Sequence, residues 1–329
     1  MRICVIHLNQ IGDLMFSLPL LKALRDRYPD SLIHSVLKSS LGELLAESPL
    51  VDEIIPKPEK FSQKVSLARK LRKQRYDLLI CLPRSEGALI LTAVSGAGTK
   101  AGFEHFPWDL ALDVRESVDR HNCWPSNARL LERLGVPRTA GDYVGLLSID
   151  PLERGIALDG PYVVISAGAS PRRLAKAWDE DKFARLIVRL HERYALTPVL
   201  VGAGDTKESN ALIARGVESD ARGGAVPVVD LTGRLGLREL AALLKKASLF
   251  VGIDSGVMHL ASALDTPVVA LFGPTDPALV GPQNRRSEVV RHVMSCVPCY
   301  LDRTCEEVEC MRSLAVDEVM DACTRILEW

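Results

Sequence analysis

No stretch of the 329 residues reaches the roughly 18 uncharged apolar positions that a membrane-spanning helix needs, so a spanning segment is excluded. Net charge is nearly absent as well. Forty-one Lys and Arg stand against 42 Asp and Glu, a balance of −1, which excludes the bulk chain as a partner for nucleic acid or another polyanion. Basic residues are scarce at the start: MRICVIHLNQIGD has one and a short apolar run, and it reads as a first buried strand rather than a secretion signal. That strand does not lead into G-x-G-x-x-G. The dinucleotide fingerprint is therefore lacking from the first strand-to-helix turn, which argues against an NAD-dependent oxidoreductase.

What is present is an ordinary globular composition, 47% hydrophobic and 25% charged, able to bury a core. At about 150 residues per domain, the length suggests two domains. Strand and helix patterns alternate: strands at 2–8, 31–37, 51–56 and 77–83, with helices at 14–28, 40–47 and 60–74 between them. Pro, Gly and Asp gather around 140–160, and the alternation then restarts. Strands are expected at 161–167, 197–203, 228–233, 249–254 and 267–274, and helices at 179–194, 205–216, 237–247 and 256–264. Such alternation predicts an α/β fold of parallel sheets covered by helices. We expect two Rossmann-like domains facing across a cleft, 1–155 and 156–312, and a final helix within 313–329 with the option of crossing back to the first. Ligands of such folds sit where strands hand over to helices.

Several of those handovers carry polar motifs. In NQIGDLMFSLPLL (9–21), Gly12 permits a tight turn, and Asp13 reads either as a plain helix cap or as a site carboxylate. SAGASPRRLAKAWDEDKF (166–183) joins a small-residue loop to Arg172, Arg173 and Lys176, cations that suit a diphosphate or simply a solvated loop. Its Asp179-Glu180-Asp181 run reads as a helix start rather than a metal-binding D-x-D. In VGAGDTKESNALI (201–213), Gly204, Asp205 and Glu208 serve equally as ribose contacts or caps. GIDSGVMHLASALDTPVVALFGPTDP (252–277) is the most informative. Asp254, Ser255 and Gly256 open a helix whose unpaired amides suit an anion, His259 follows one turn in, and FGPTDP is a second polar turn close by.

Segment 57–75 holds eight Lys and Arg and one Glu. It reads as a solvated helix face or, through Lys64, Arg69, Lys70, Arg72 and Lys73, as a contact for an anionic membrane surface or phosphorylated lipid. Cys4 and Cys81 lie in apolar runs and, with Cys123 and Cys323, look like reduced thiols of a cytosolic protein. Cys296, Cys299, Cys305 and Cys310 are spaced C-x2-C-x5-C-x4-C. They suit zinc, disulfides or plain thiols; the x5 and x4 spacings are not a standard metal pair, so no metal is assigned.

Taken together, IGDLMFSLPLLKAL, the K-x-W of Lys176 and Trp178, D-S-G-x-M-H-L at 254–260, FGPTDP and the Cys-rich tail resemble glycosyltransferase family 9, the lipopolysaccharide heptosyltransferases, in its motif order and over nearly the whole chain. The resemblance implies a GT-B fold and an inverting transfer from ADP-heptose to the lipid A–core glycolipid, without cofactor or catalytic metal. It implies a cytoplasmic enzyme, peripheral at the inner face of the cytoplasmic membrane. Carried over, Asp13 would be the general base and Lys176 would stabilise the leaving diphosphate. Asp254 would hold heptose hydroxyls, and the backbone at Ser255 and Gly256 would hold phosphate. Glu208 would meet the nucleoside, and Ser170, Arg172, Gly204 and His259 complete the expected donor site. A GT-B enzyme using another nucleotide sugar, either a different transferase or an epimerase, and a non-catalytic nucleotide-sugar-binding protein are the alternatives.

Overall fold

The computed structural model describes all residues except 59–60, 119–123, 151–157, 159, 170–172, 222–223, 301–304 and 306–307. Two compact units divide the chain at 149/150 rather than at the expected 155/156.

The first unit begins with β1 (Arg2–Ile6), in which Ile3, Cys4, Val5 and Ile6 are all fully buried. A strand apolar on both faces needs a helix over each. The chain supplies them in turn: α1 (Ile11–Arg27), β2 (Leu32–Leu37), α2 (Ser39–Gly42), β3 (Glu53–Pro56), α3 (Phe61–Gln74), β4 (Leu78–Cys81), α4 (Glu86–Val94), β5 (Thr99–Phe103), β6 (Val114–Glu116) and α5 (Trp124–Arg133). All neighbouring strands pair in parallel, in the order β3-β2-β1-β4-β5-β6. The order reverses between β1 and β4, which opens a crevice at their carboxyl ends.

The second unit repeats the plan with β7 (Tyr162–Ser166), α6 (Glu180–Tyr194), β8 (Thr197–Leu200), α7 (Lys207–Asp220), β9 (Val229–Asp230), α8 (Leu237–Lys246), β10 (Leu249–Ile253), α9 (Gly256–Ala263), β11 (Val268–Phe272), α10 (Pro277–Val280), β12 (Ser287–Arg291), α11 (Glu309–Arg312) and α12 (Val316–Leu327). Its parallel sheet runs β12-β11-β10-β7-β8-β9, with the switch between β7 and β10. The Asp179-Glu180-Asp181 run is a helix start, as expected: Asp179 stands at the residue before α6, and Glu180 and Asp181 fill its first turn. The final helix sets its buried face of Val319, Met320, Ala322, Cys323 and Ile326 into the core of this second unit, among Phe183, Leu186 and Leu271.

Candidate active site

The chemistry of the second unit collects at its switch point. β10 is a buried apolar strand whose Gly252 pairs with Ser166 of β7. A Cβ on Gly252 would lie 2.7 Å from the Ser166 carbonyl oxygen, so the two central strands approach as closely as they do because this residue is glycine. β10 ends at Ile253 and delivers Asp254 to the carboxyl edge. Ser255 follows in extended conformation and caps α9, its hydroxyl accepting from the Met258 amide at 3.4 Å. The first amides of α9, at Gly256 and Val257, lack partners in the helical ladder, and the helix dipole adds positive potential at the same end.

Asp254 is held from two sides. The Lys176 ammonium donates to its Oδ2, and the Thr275 hydroxyl donates to the same oxygen at 2.6 Å. All three residues are nearly inaccessible, Lys176 at 5%, Asp254 at 7% and Thr275 at 5% exposure. Burial pushes the Asp254 carboxyl up, but the Lys176 charge and the hydrogen bonds from Lys176 and Thr275 outweigh it and hold the group below the ordinary carboxylate value. Burial moves Lys176 the other way, below the usual lysine value, against the pull of Asp254. His259 Nε2 stands 3.9 Å from Asp254 Oδ1. Burial drives its pKa down to about 4, with Asp254 opposing and Lys176 assisting. The imidazole is therefore neutral near pH 7, and the contact is not an ion pair.

The aim of Lys176 comes from its neighbours. It ends a short 3-10 turn, Leu174–Lys176, after which Trp178 plugs into the core. The Trp178 indole donates to the Leu314 carbonyl at 3.0 Å and packs edge-on against Phe183. The K-x-W motif is thus a cation and its anchor. Thr275, which sequence reasoning did not single out, lies in the FGPTDP turn that it did. That turn is braced by the Cys-rich segment: the Tyr300 amide donates to the Pro274 carbonyl at 2.8 Å, and a Cβ on Gly273 would meet Met311 at 2.6 Å and Cys310 at 3.0 Å.

Other expected residues fall elsewhere. Ser170 and Arg172 lie outside the described residues. Gly204 and Glu208 are exposed after β8, Glu208 in the first turn of α7. The small residues of the β7 and β8 loops serve packing: a Cβ on Gly168 or Gly202 would strike Thr206 at 2.3 or 2.1 Å. Cys296 and Cys305 are exposed, Cys299 is half-buried and Cys310 is buried. Burial and then the other three thiols push the Cys310 pKa up. Among the described residues, no three His, Cys, Asp or Glu are placed to hold a metal ion.

In the first unit, Asp13 sits partly buried in the first turn of α1, at the carboxyl end of β1. The helix cap is Gln10, so Asp13 is not the plain cap that its position in the sequence allowed. Directly after β1 comes His7, another residue the sequence reading passed over. Its Nδ1 meets the Ser17 hydroxyl at 3.0 Å and its Nε2 the Ser35 hydroxyl at 3.1 Å. Ser17 spends its hydrogen on the Leu14 carbonyl, so it accepts from Nδ1–H, and Ser35 donates to Nε2. Burial, then Lys57, pushes the His7 pKa down to about 3. The neutral ring is a strut between β1, β2 and α1. On α3, Lys64, Arg69, Lys70, Arg72 and Lys73 are all exposed while Leu67 and Leu71 are buried; Lys70 pairs with Glu53 at 2.7 Å.

The model of glycosyltransferase family 9 (heptosyltransferase) matches residues 64–309. The chain belongs to this family. It is 30% identical over 288 residues to lipopolysaccharide heptosyltransferase 3 of Escherichia coli, covering 80% of this chain and 81% of the relative. It is 28% identical over 314 residues to lipopolysaccharide heptosyltransferase 2 of Salmonella typhimurium, covering 88% of each. The solved E. coli ADP-heptose LPS heptosyltransferase II matches with a TM-score of 0.83 at 22% identity, over 100% of this chain and 99% of that one. That likeness gives the GT-B fold expected from the sequence. As a family 9 member the protein is a glycosyltransferase, and Asp254, Ser255, Gly256, His259 and Lys176 all fall within the matched span.

Proposed function

We propose that the protein transfers heptose from ADP-heptose, with inversion, to a hydroxyl of the inner core of lipopolysaccharide. The observation that carries this reading is the buried Lys176–Asp254–Thr275 cluster beside the open N-terminus of α9, at the switch point of a doubly wound sheet. A diphosphate suits that edge: the α9 amides and the Ser255 and Gly256 backbone take phosphate oxygens. An ammonium has three donors, of which Lys176 gives two to the side-chain and main-chain oxygens of Asp254; the third serves the leaving diphosphate. Asp254 Oδ2 is occupied by Lys176 and Thr275, which turns Oδ1 to heptose hydroxyls.

Asp13 is the general base of this reading. It takes the proton of the acceptor hydroxyl as that oxygen attacks the anomeric carbon, and the bond from that carbon to the diphosphate oxygen breaks on the opposite face. ADP departs with its new charge stabilised by Lys176 and α9. Because the acceptor is a membrane glycolipid, the enzyme works at the inner face of the cytoplasmic membrane, with the exposed cations of α3 against that surface.

ADP release from ADP-heptose, measured with a panel of truncated core glycolipids, tests the reading. Acceptor-dependent release by the wild type, lost in Asp13→Ala while ADP-heptose binding persists, is the expected result. Donor hydrolysis or epimerisation without acceptor would replace the transferase with another enzyme of this fold.

A further inference from the structure

We propose that an apolar patch on the first unit, formed by Ile90 and Val94 of α4 with Phe106, Trp108 and Leu110 beside them, inserts shallowly into an anionic lipid surface. It rests on the transferase reading only for why the enzyme needs a membrane; the insertion itself is measured without catalysis.

Among the described residues, twelve large apolar side chains are exposed, and five of them fall between positions 90 and 110. Single exposed apolar residues are ordinary, whereas a contiguous set marks a contact. Two elements bring the five together. On α4, Ala88, Leu89 and Thr92 face the core, and Ile90, Ala93 and Val94 form the exposed stripe at i, i+3 and i+4 spacing. The 3-10 turn Trp108–Ala111, between β5 and β6, packs beside α4. Asp109 and Leu112 take its inner side, so Phe106 (82% exposed), Trp108 and Leu110 (67% exposed) are left on the outside. Backbone bonds hold them there. The Trp108 and Asp109 amides donate to the His105 carbonyl at 2.9 and 3.2 Å, and the Leu112 amide donates to the Asp109 carbonyl at 2.9 Å.

The neighbours of the patch decide what covers it. α3 packs against α4, and a Cβ on Gly96, just past the end of α4, would lie 3.5 Å from Arg72 Cγ. Arg72 therefore flanks the Val94 end of the patch, with the exposed Arg69 and Lys73 on the same half of α3. Few acids oppose them: Asp109 is buried and Asp113 pairs with Lys100 at 3.3 Å, while Glu86 and Glu104 are exposed. Apolar side chains that include a Trp and are rimmed by cations suit a lateral contact with anionic lipid, the rings resting at headgroup level. A protein partner fits less well. A stable interface takes about 20–30 residues a side, several times this patch, and a second copy would bring its own α3 cations to the same rim. Among the described residues no helix is long and apolar enough to cross a membrane, so the patch would lie in the surface of the bilayer. A few apolar side chains bind only marginally and the cations are screened by salt, so the two act together.

The test uses the full-length protein and vesicles of phosphatidylglycerol and phosphatidylcholine with brominated acyl chains, which quench tryptophan that enters the bilayer. Trp124 and Trp178 are buried, so Trp108 and Trp329 are the indoles within reach of the quencher. Quenching should vanish in Trp108→Phe and persist in Trp329→Phe. The variant Phe106→Ser/Leu110→Ser changes two exposed side chains and leaves the core alone. It should lower the vesicle partition coefficient about tenfold or more at low salt, while turnover of a water-soluble, lipid-free acceptor stays at the wild-type rate. No quenching of the wild type, quenching unchanged in Trp108→Phe, or partitioning unchanged in the double variant overturns the proposal. A dimer in lipid-free buffer that the double variant dissociates overturns it in favour of a second copy. Trp108-dependent quenching in a wild type that transfers to no acceptor would sink the transferase reading and leave the patch standing.

Discussion

At the scale of single residues, Asp254 is where burial and charge compete, and its partners win. Replacing Thr275 by Val keeps the shape but removes the hydroxyl that donates to Oδ2 at 2.6 Å. A hydrogen bond to a charged group contributes about 1.5–3 kcal/mol, so kcat/KM for ADP-heptose should fall at least tenfold in Thr275→Val and recover in Thr275→Ser. Lys176→Met strands a carboxylate that is 7% exposed. Unfolding in urea should show about 3–5 kcal/mol of lost stability, part of it regained in the double variant Lys176→Met/Asp254→Asn, where no buried charge is left alone. His259 adds a pH dependence. Above its ordinary value of 6.5 both states are neutral; below it the unfolded chain binds a proton that the fold refuses until about pH 4. Acidification therefore destabilises, by about 2 kcal/mol between pH 6.5 and 5 from this group. Thermal unfolding of His259→Gln should show a shallower fall over that window, with the His7 share remaining. The residues at the end of β10 were legible because polar types crowd a strand end. Thr275 and His7 were not, because a bond spanning 21 residues and a strut between two serines leave no local signature.

At the scale of elements, the two central strands of the second sheet set the position of everything at its edge. Gly252→Ala pushes a methyl to 2.7 Å from the Ser166 carbonyl and 2.8 Å from the Phe250 ring. Spreading β7 from β10 should cost about 1–3 kcal/mol and move Asp254 away from Lys176, so that the melting temperature and kcat fall together. If the melting temperature drops with kcat intact, the register of β10 does not set the site geometry. Strands such as β1, β7, β10 and β11 were readable as apolar runs because each is covered on both faces. The sheet margins were not. β5 (TKAGF) mixes Lys and Gly, β6 has three residues, and β12 (SEVVR) is half-buried along most of its length, so none offers a two-sided apolar run. No elements were expected across 84–139, where α4, β5, β6 and α5 form. The helix read at 40–47 is regular only over Ser39–Gly42, and its remainder continues as turns.

At the scale of the whole molecule, the duplication of one strand order was foreshadowed by an alternation that stops near 140–160 and restarts, whereas the order itself depends on pairings far apart in the chain. The charge distribution has the same character. A net charge of −1 hides the local excess on α3, where five of fourteen residues are Lys or Arg and none is acidic. Lys70 is engaged by Glu53, and Arg69, Arg72 and Lys73 stand exposed with it in the C-terminal half of α3, where they are the cations free to meet a surface. Near an anionic bilayer each contributes about 1 kcal/mol, and the effect decays within a Debye length of about 8 Å at physiological salt. The protein should therefore sediment with vesicles containing anionic lipid at low salt and dissociate at about 0.5 M salt, since the Debye length falls to about 3 Å at 1 M. Arg69→Glu/Arg72→Glu/Lys73→Glu should abolish sedimentation while turnover of a water-soluble, lipid-free acceptor stays at the wild-type rate. Sedimentation that survives the triple reversal would mean that α3 is a solvated face and that another surface meets the membrane.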